Sequence, residues 1–486
     1  MDNSHRLIAA ATVAVAALST PSDLRASELE LSSGIDTFVS DQSTIEGFHY
    51  FSLMGEVRPG FYLGQSVYSS ALGDGGGAFF GGVEAQKRFR FSDRLSVDLE
   101  GFLGGGGGSG QIPGDGLMMR AGASLNYALS EATRLSLGVA RVKITGSDID
   151  TNAISLGISQ AINLNTSAGT KPARASTPYN LSLSAFRPMV YTIVPEGSLK
   201  GSGQPLETMY LVGVEIGFAL DEMQEAYLKA GGAGAGDGEG FAELMFGYRR
   251  YLGQGNTRLY WNAGAGFAGG GDVDTGGGFV AEVGGGVAQK LVGGLDLQFG
   301  ADLTRSGNGG LSAVAPYIRS SFEFGQGREK GRGTSDADAR QDWNLTMGIT
   351  SQPGSILKSA GEASPLLFET ALDLFVTERV YVTGIGQTVL SGGVGGYAVG
   401  LLGLGYERAL SDQWNAGFEL FAGVAGGGGI DTKGGLVGGY RIEVDYALND
   451  TLKLSLGLGG LSALKPGGLN STTMQLGLKI PFTSWH

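Results

Sequence analysis

Apolar residues recur at every second position along most of the chain. In Val212-Gly213-Val214-Glu215-Ile216-Gly217-Phe218, Leu295-Asp296-Leu297-Gln298-Phe299-Gly300-Ala301-Asp302-Leu303 and Leu452-Lys453-Leu454-Ser455-Leu456-Gly457-Leu458, one face is Leu, Val, Ile or Phe and the other is Gly, Ser or a charge. A period of two is the signature of strands, whose successive side chains point to opposite faces. The alternation predicts an all-β chain. On its own it suits a soluble sandwich, apolar side inward, as well as a membrane barrel, apolar side outward. The turns separate the two. Alternate connections are short and polar, as at Arg58-Pro59-Gly60, Ser92-Asp93-Arg94, Gly253 to Asn256, Thr377-Glu378-Arg379, Ser411-Asp412-Gln413 and Asn449-Asp450-Thr451. Those between them are longer, as at Asp41 to Gly47, Gln111 to Gly116, Glu196 to Pro205 and Gln352 to Pro365. Short turns on one side and longer loops on the other are the habit of a transmembrane β-barrel. Phe89, Phe91, Tyr127, Tyr248, Tyr251, Tyr260, Trp261, Tyr406, Trp414 and Tyr446 sit beside the short turns, where an interfacial aromatic girdle is expected.

The last strand carries a more specific pattern. Met474, Leu476, Leu478, Ile480 and Phe482 share one face, and Gln475, Gly477 and Lys479 share the other. The run from Gln475 through Gly477 and Ile480 to Phe482 resembles the C-terminal assembly signal of bacterial outer-membrane β-barrels, although Thr483, Ser484, Trp485 and His486 follow it. The resemblance implies insertion by the barrel-assembly machinery with help from periplasmic chaperones. It places the chain in the outer membrane of a Gram-negative bacterium. No specific family is recognised.

Weak self-similarity recurs at about a third of the chain length. Asn126-Tyr127-Ala128-Leu129-Ser130-Glu131 with Leu135-Ser136-Leu137-Gly138 matches Asp445-Tyr446-Ala447-Leu448-Asn449-Asp450 with Leu454-Ser455-Leu456-Gly457, and Ser155-Leu156-Gly157-Ile158 matches Gln475-Leu476-Gly477-Leu478. Glycine-saturated tips recur at Gly104 to Gly108, Gly269 to Gly276 and Gly426 to Gly429. Polar stretches at 165–177 and 325–340 lack alternation and read as linkers. The expected units are therefore 27–165, 178–325 and 341–486, each of about eight strands. Ahead of them Arg6, the apolar run Leu7 to Leu18 and small residues up to Ala26 read as a cleaved signal peptide, 1–26.

Composition narrows the functional classes. Gly makes up 88 of 486 residues and charged residues only 17%, which is odd for a soluble enzyme. Past the N-terminus no apolar run reaches ~18 residues, so helical spanning is excluded. The absence of cysteine removes disulfides, thiolate catalysis and Cys-based metal sites. A net charge of −13 without clustered Lys and Arg argues against nucleic acid. Of three histidines, only His49 lies away from the chain ends. Its spacing to Ser52 does not match that of outer-membrane lipid A deacylases, which the stretch otherwise resembles, so it is read as an interfacial side chain. Acidic turns such as Asp272 with Asp274 lack the repeat of calcium-binding β-rolls and are read as turn chemistry. No metal, cofactor or enzymatic activity is expected.

Acidic residues fall on the polar faces: Asp98 and Glu100, Glu215, Glu243, Glu282, Asp296 and Asp302, Glu369 and Asp373, Glu419, Glu443 and Asp445. A charge facing hydrocarbon costs roughly 2 kcal/mol or more near the midplane, so these are expected to line an aqueous interior, partly offset by Lys87, Arg120, Lys229 and Arg441. The fold expected is a transmembrane antiparallel β-barrel of three homologous units. One ring of about 24 strands is favoured over three tandem small barrels, because a small barrel must fill its interior with side chains and the inner faces are glycine-rich. The function expected is a channel passing hydrophilic solutes, or an exported polymer, through an acidic lumen. The alternative is a structural or adhesive outer-membrane surface protein with glycine-rich loops and no open pore, in contact with lipid and a surface partner.

Overall fold

The computed structural model describes residues 28–39, 43–108, 115–164, 166–167, 181–253, 255–291, 295–323 and 340–485. The expected signal peptide, and the two expected linkers apart from residues 166–167 and 340, lie outside the described residues, as does most of the loop from Gln111 to Gly116. All regular structure among the described residues is β-strand.

The first eight strands are β1 (Glu28–Phe38), β2 (Ile45–Arg58), β3 (Phe61–Gly73), β4 (Phe79–Arg90), β5 (Leu95–Gly107), β6 (Leu117–Ala128), β7 (Thr133–Ile144) and β8 (Asp150–Asn163). Each pairs antiparallel with its neighbour in sequence, and β1 closes the ring against β8 from Glu28 opposite Asn163 to Phe38 opposite Ala153. A two-residue strand, β9 (Thr166–Ser167), follows. The second ring is β10 (Ser182–Pro195), β11 (Met209–Ala219), β12 (Gln224–Gly236), β13 (Ala242–Leu252), β14 (Thr257–Gly269), β15 (Phe279–Lys290), β16 (Leu295–Ser306) and β17 (Ser312–Glu323), closed by β10 on β17. The third begins with β18 (Arg340–Ser351). After a small hairpin, β19 (Ser355–Ile356) and β20 (Glu362–Ala363), it continues through β21 (Leu366–Phe375), β22 (Val380–Ser391), β23 (Ala398–Ala409), β24 (Trp414–Gly426), β25 (Leu436–Asn449), β26 (Leu452–Ala463) and β27 (Asn470–Trp485). It closes from Arg340 opposite Trp485 to Ser351 opposite Met474. The last strand thus runs through Thr483 and Ser484, and β9 adds to its edge.

The chain forms three closed rings of eight strands, not the single large ring favoured from the sequence. The inference from glycine-rich inner faces fails for a packing reason. Each small barrel is filled by tyrosines, and a ring lying against the wall leaves no room for a Cβ opposite it. A Cβ on Gly34 or Gly157 would lie 2.5 Å or 2.3 Å from the Tyr50 hydroxyl, and one on Gly247 or Gly405 would lie 2.1 Å from the ring of Tyr227 or Tyr381. Inner glycine is what lets an eight-stranded barrel close around aromatics.

Short turns gather at one end of every barrel, for example at 58–61, 128–133, 219–224 and 409–414, and the longer loops at the other. Gly60 takes the left-handed conformation that its tight turn needs (φ 68°). The outer faces are apolar and open: Leu137, Val139 and Leu156 of the first barrel are 58 to 63% exposed, and Leu303, Leu404 and Leu458 of the other two are similar. Water would not tolerate three such belts, whereas hydrocarbon requires them. Phe89, Phe91, Tyr127, Trp261, Tyr406 and Trp414 are exposed near the short turns, as a girdle requires, but Tyr251 and Tyr260 point into the second barrel.

The barrels also pack on one another. Phe51 stacks on Phe246 and His49 on Phe267 between the first and second. The Gln65 amide donates to the Thr370 hydroxyl between the first and third (2.7 Å). Leu183, Phe186, Trp343, Leu374 and Phe482 form an apolar cluster between the second and third. At the loop end the glycine turns meet directly, with Gly76 N–H donating to Gly276 C=O and Gly396 N–H to Gly106 C=O.

Candidate functional site: the barrel interiors and the axis between them

Inward-facing charges come from the alternating positions of the strands, and most of them are paired. In the first barrel Arg88 bridges Glu30 (2.8 Å) and Asp98 (2.9 Å), Arg134 also reaches Glu30, and Arg120 bridges Asp36 (2.7 Å) and Glu100 (2.8 Å). Tyr62 lies under the Arg88 guanidinium, and Tyr50 and Tyr68 beside that of Arg120. In the second barrel Glu215 is the hub: Arg187, Arg249 and Arg319 all converge on it, and Glu225 takes a second contact from Arg187 and Arg249. Lys229 bridges Glu243 (3.0 Å) and Glu282 (2.5 Å), whose carboxylates also accept from the Tyr191 and Tyr227 hydroxyls. Arg258 holds Asp296 (2.8 Å), and Asn262 donates to Asp302 (2.9 Å). In the third barrel Arg441 joins Glu369 (2.6 Å) and Glu419 (2.8 Å), while Lys479 contacts Glu443 and Asp445.

All twelve acidic residues expected on the inner faces do point inward, and all but Glu100 are buried. They do not stand as a free acidic lining. Each bundle joins carboxylates to Arg or Lys from other strands, which is how a charge inside a low-dielectric wall avoids the cost of being left unpaired. Of the cations named from the sequence, Arg120, Lys229 and Arg441 take part. Lys87 does not: it faces outward and donates to the Pro59 carbonyl (3.0 Å), and its neighbour Arg88 is the inward one. Sequence reasoning passed over Glu30, Asp36, Glu225, Arg88, Arg187, Arg249 and Arg319. Their parity was the available signal, since each alternates with the same inner glycines and tyrosines as the acids.

Above each ion-pair bundle, toward the loops, the interior turns apolar. Ile45, Phe48, Phe80, Met118 and Ile144 fill the first barrel there. Ile193, Leu206, Met209, Phe241 and Leu311 fill the second, and Leu367, Val389, Val394, Ile430 and Leu469 the third. Leu206 and Leu357 belong to the long loops, so those loops fold over the mouths of the second and third barrels. The assembly-signal residues divide by face. Gln475 and Gly477 line the inside of the third barrel, whereas Ile480 and Phe482 face out, where Phe482 stacks on Trp343 (6.0 Å, 5°). His49 shares a hydrogen bond with Ser33 (3.0 Å) and stacks on Phe267, which gives it a packing role. Among the described residues no cluster of His, Asp and Glu is arranged to hold a metal ion.

No family model and no curated relative matches the chain. Solved structures similar to it include OccK11 (OpdR) of Pseudomonas aeruginosa, at 11% identity over 94% of this chain and 95% of that one, with a TM-score of 0.23. The outer membrane protein opdK of Pseudomonas aeruginosa matches at 10% identity over 94% and 98%, with a TM-score of 0.23. The siderophore receptor PirA of Acinetobacter baumannii matches at 9% over 94% and 80%, with a TM-score of 0.30. Superposition at this level carries no argument about what the chain does.

Proposed function

We propose that the chain is an integral outer-membrane protein whose three barrels are shut at rest and whose work is done at the outer surface by its glycine-rich loops, as a structural or adhesive surface protein. The observation that carries this reading is the filled interior: in each barrel an ion-pair bundle is followed by an apolar plug. The apolar outer belts support the membrane setting. The assembly-signal resemblance and the expected signal peptide support the outer membrane of a Gram-negative cell, reached with periplasmic chaperones and the barrel-assembly machinery. The three units read as homologous copies. In support, the glycine tips at 107, 269 and 426 all follow the fifth strand of their barrel, and the Tyr-Ala-Leu matches at 127 and 446 both close a sixth strand.

A second reading, a narrow channel for hydrophilic solutes or ions, is favoured by the third barrel. Glu369, Asp373, Glu407, Glu419, Glu443 and Asp445 there outnumber Arg441, Lys453 and Lys479. Oxygens of Asp373 and Asp445 and both amide atoms of Gln475 are buried without a protein partner. Such atoms are ordinarily served by water. Planar-bilayer recording with the refolded chain separates the readings. The scaffold reading expects no steps from folded protein, and loss of cell attachment when the loops at 196–208 and 352–365 are trimmed. Cation-selective steps abolished by Asp373→Asn with Asp445→Asn establish the channel instead.

A further inference from the structure

Between the three barrels lies a cavity of about 1190 Å³ that belongs to none of them. Its walls are outward faces: Val67 and Gly81 of the first barrel, Val214 and Leu244 of the second, Gly386 and Gly400 of the third. It reaches from the glycine turns at the loop end, where Gly77, Gly107 and Gly270 close it, down to Ile216 and Leu372. From Gly396 at the loop end to Leu402 on β23, both in its lining, is six residues, or roughly 20 Å along the strand and roughly 15 Å along the membrane normal at a tilt of about 40°, the thickness of one leaflet of hydrocarbon. Below it lies the aromatic cluster of Phe186, Trp343 and Phe482.

We infer that this cavity is a lipid site, occupied by the acyl chains of a membrane lipid. Three observations carry the inference. The walls are the same apolar outward faces that elsewhere form the lipid belt, so the cavity continues the membrane surface of each barrel into the space between them. Between the strands, below the loop end, water is a poor occupant, because a buried water needs two to four polar partners. Among the strands the Gln65 amide donates to Thr370 and Thr388 to the Gly81 carbonyl, and the acidic and hydroxyl side chains Asp74, Glu239, Asp272, Asp274 and Thr275 gather at the loop end. An empty void of this size would forfeit the dispersion contacts of its whole lining, which fluid hydrocarbon restores.

The glycines that line the cavity provide the test. A Cβ on Gly386 would meet nothing within 4 Å, and one on Gly400 only Val424 at 3.9 Å. Gly386→Leu and Gly400→Leu therefore place apolar side chains in the cavity from positions where the first added carbon strikes no neighbour. Full-length protein is exchanged into detergent with a phospholipid of palmitoyl and oleoyl chains, washed with lipid-free detergent and measured by native mass spectrometry. The expected result is retained phospholipid on the parent chain and at least a tenfold loss from the double variant, with heat-modifiable gel mobility unchanged to show that the barrels are folded. Leu156→Ala on the outer belt should retain lipid as the parent does. The inference is overturned if the parent retains none, or if the folded double variant retains as much. If the double variant fails to fold, Gly386→Ala, a one-carbon change into open space, must still lower retention, and unchanged retention in it overturns the inference equally.

Discussion

Two outward faces of the first barrel differ in one respect. On β6 to β8 the outward positions include Leu125, Leu137, Val139, Ile154, Leu156 and Ile158, large and exposed, with smaller Ala121 and Ala123 on β6. On β4 and β5 they include Gly81 and Gly105, which look toward the third barrel. Both faces are non-polar, and only side-chain size separates them. Lipid is fluid and fits any apolar shape, so the first face is free to be bulky. A neighbouring barrel is rigid, and within hydrocarbon there is little hydrophobic gain in joining two apolar walls. Association must then come from close packing and backbone approach, for which small residues are required. At Gly105 an added Cβ would lie 2.1 Å from the Val389 carbonyl oxygen of the third barrel, and at Gly77 one would lie 2.2 Å from the Gly270 nitrogen of the second.

This contrast can be tested against the interior, which should outweigh both outer faces. Glu215→Ala leaves Arg187, Arg249 and Arg319 converging on a missing carboxylate, and is expected to cost about 3 to 5 kcal/mol, read as a fall in the urea midpoint for folding into vesicles. Gly105→Leu should cost about 3 kcal/mol by forcing two barrels apart, whereas Leu156→Ala on the lipid face should cost less than about 1 kcal/mol in the same assay. Equal losses from those two would remove the distinction between the faces. Leu156→Arg, near the middle of β8, should cost about 2 kcal/mol or more, which checks that this face meets hydrocarbon.

Smaller effects sharpen the comparison at the seam. Thr370→Val leaves the Gln65 amide without its acceptor and should cost about 1 kcal/mol, while Thr370→Val with Gln65→Leu should be nearly neutral, a non-additivity visible in a double-mutant cycle. The smallest effect lies outside the membrane. Lys200, on the loop over the second barrel, donates to Asp237 and holds its carboxyl below the usual carboxylate range. A depressed folded pKa gives stability that is present above about pH 4 and is lost as pH falls through the lower folded value. Amides of residues 199–207 should therefore lose exchange protection on acidification, after correction for intrinsic rates, and Lys200→Met should weaken that pH dependence, the rest being held by the Glu207 N–H that also donates to Asp237.

Strands, their inward and outward faces and the two kinds of connection were legible because each depends on neighbours within a few residues. Val212 to Phe218 alternates in the sequence and in β11 alike. The acids were legible as inward-facing for the same reason. Their partners were not: Arg187 and Glu215 sit on adjacent strands, but Arg319 reaches Glu215 from β17, and which strand closes on which is a property of the ring. Lys87 was mistaken for Arg88 because, near the strand end where the alternation fades, one step of parity decides which side of the wall a charge occupies.

The amino-acid sequence by itself determined that this chain is made of strands with one apolar and one polar face, in three stretches, with glycine where backbones or rings come close. Tertiary structure alone decided that each stretch closes on itself. Ring size depends on whether strand β8 meets β1 or β10, a choice between edges of nearly the same composition, and it is made by how completely the enclosed side chains fill the space. Tyrosines seated over glycines and carboxylates matched to guanidinium groups fill an eight-stranded barrel and would leave a larger one hollow.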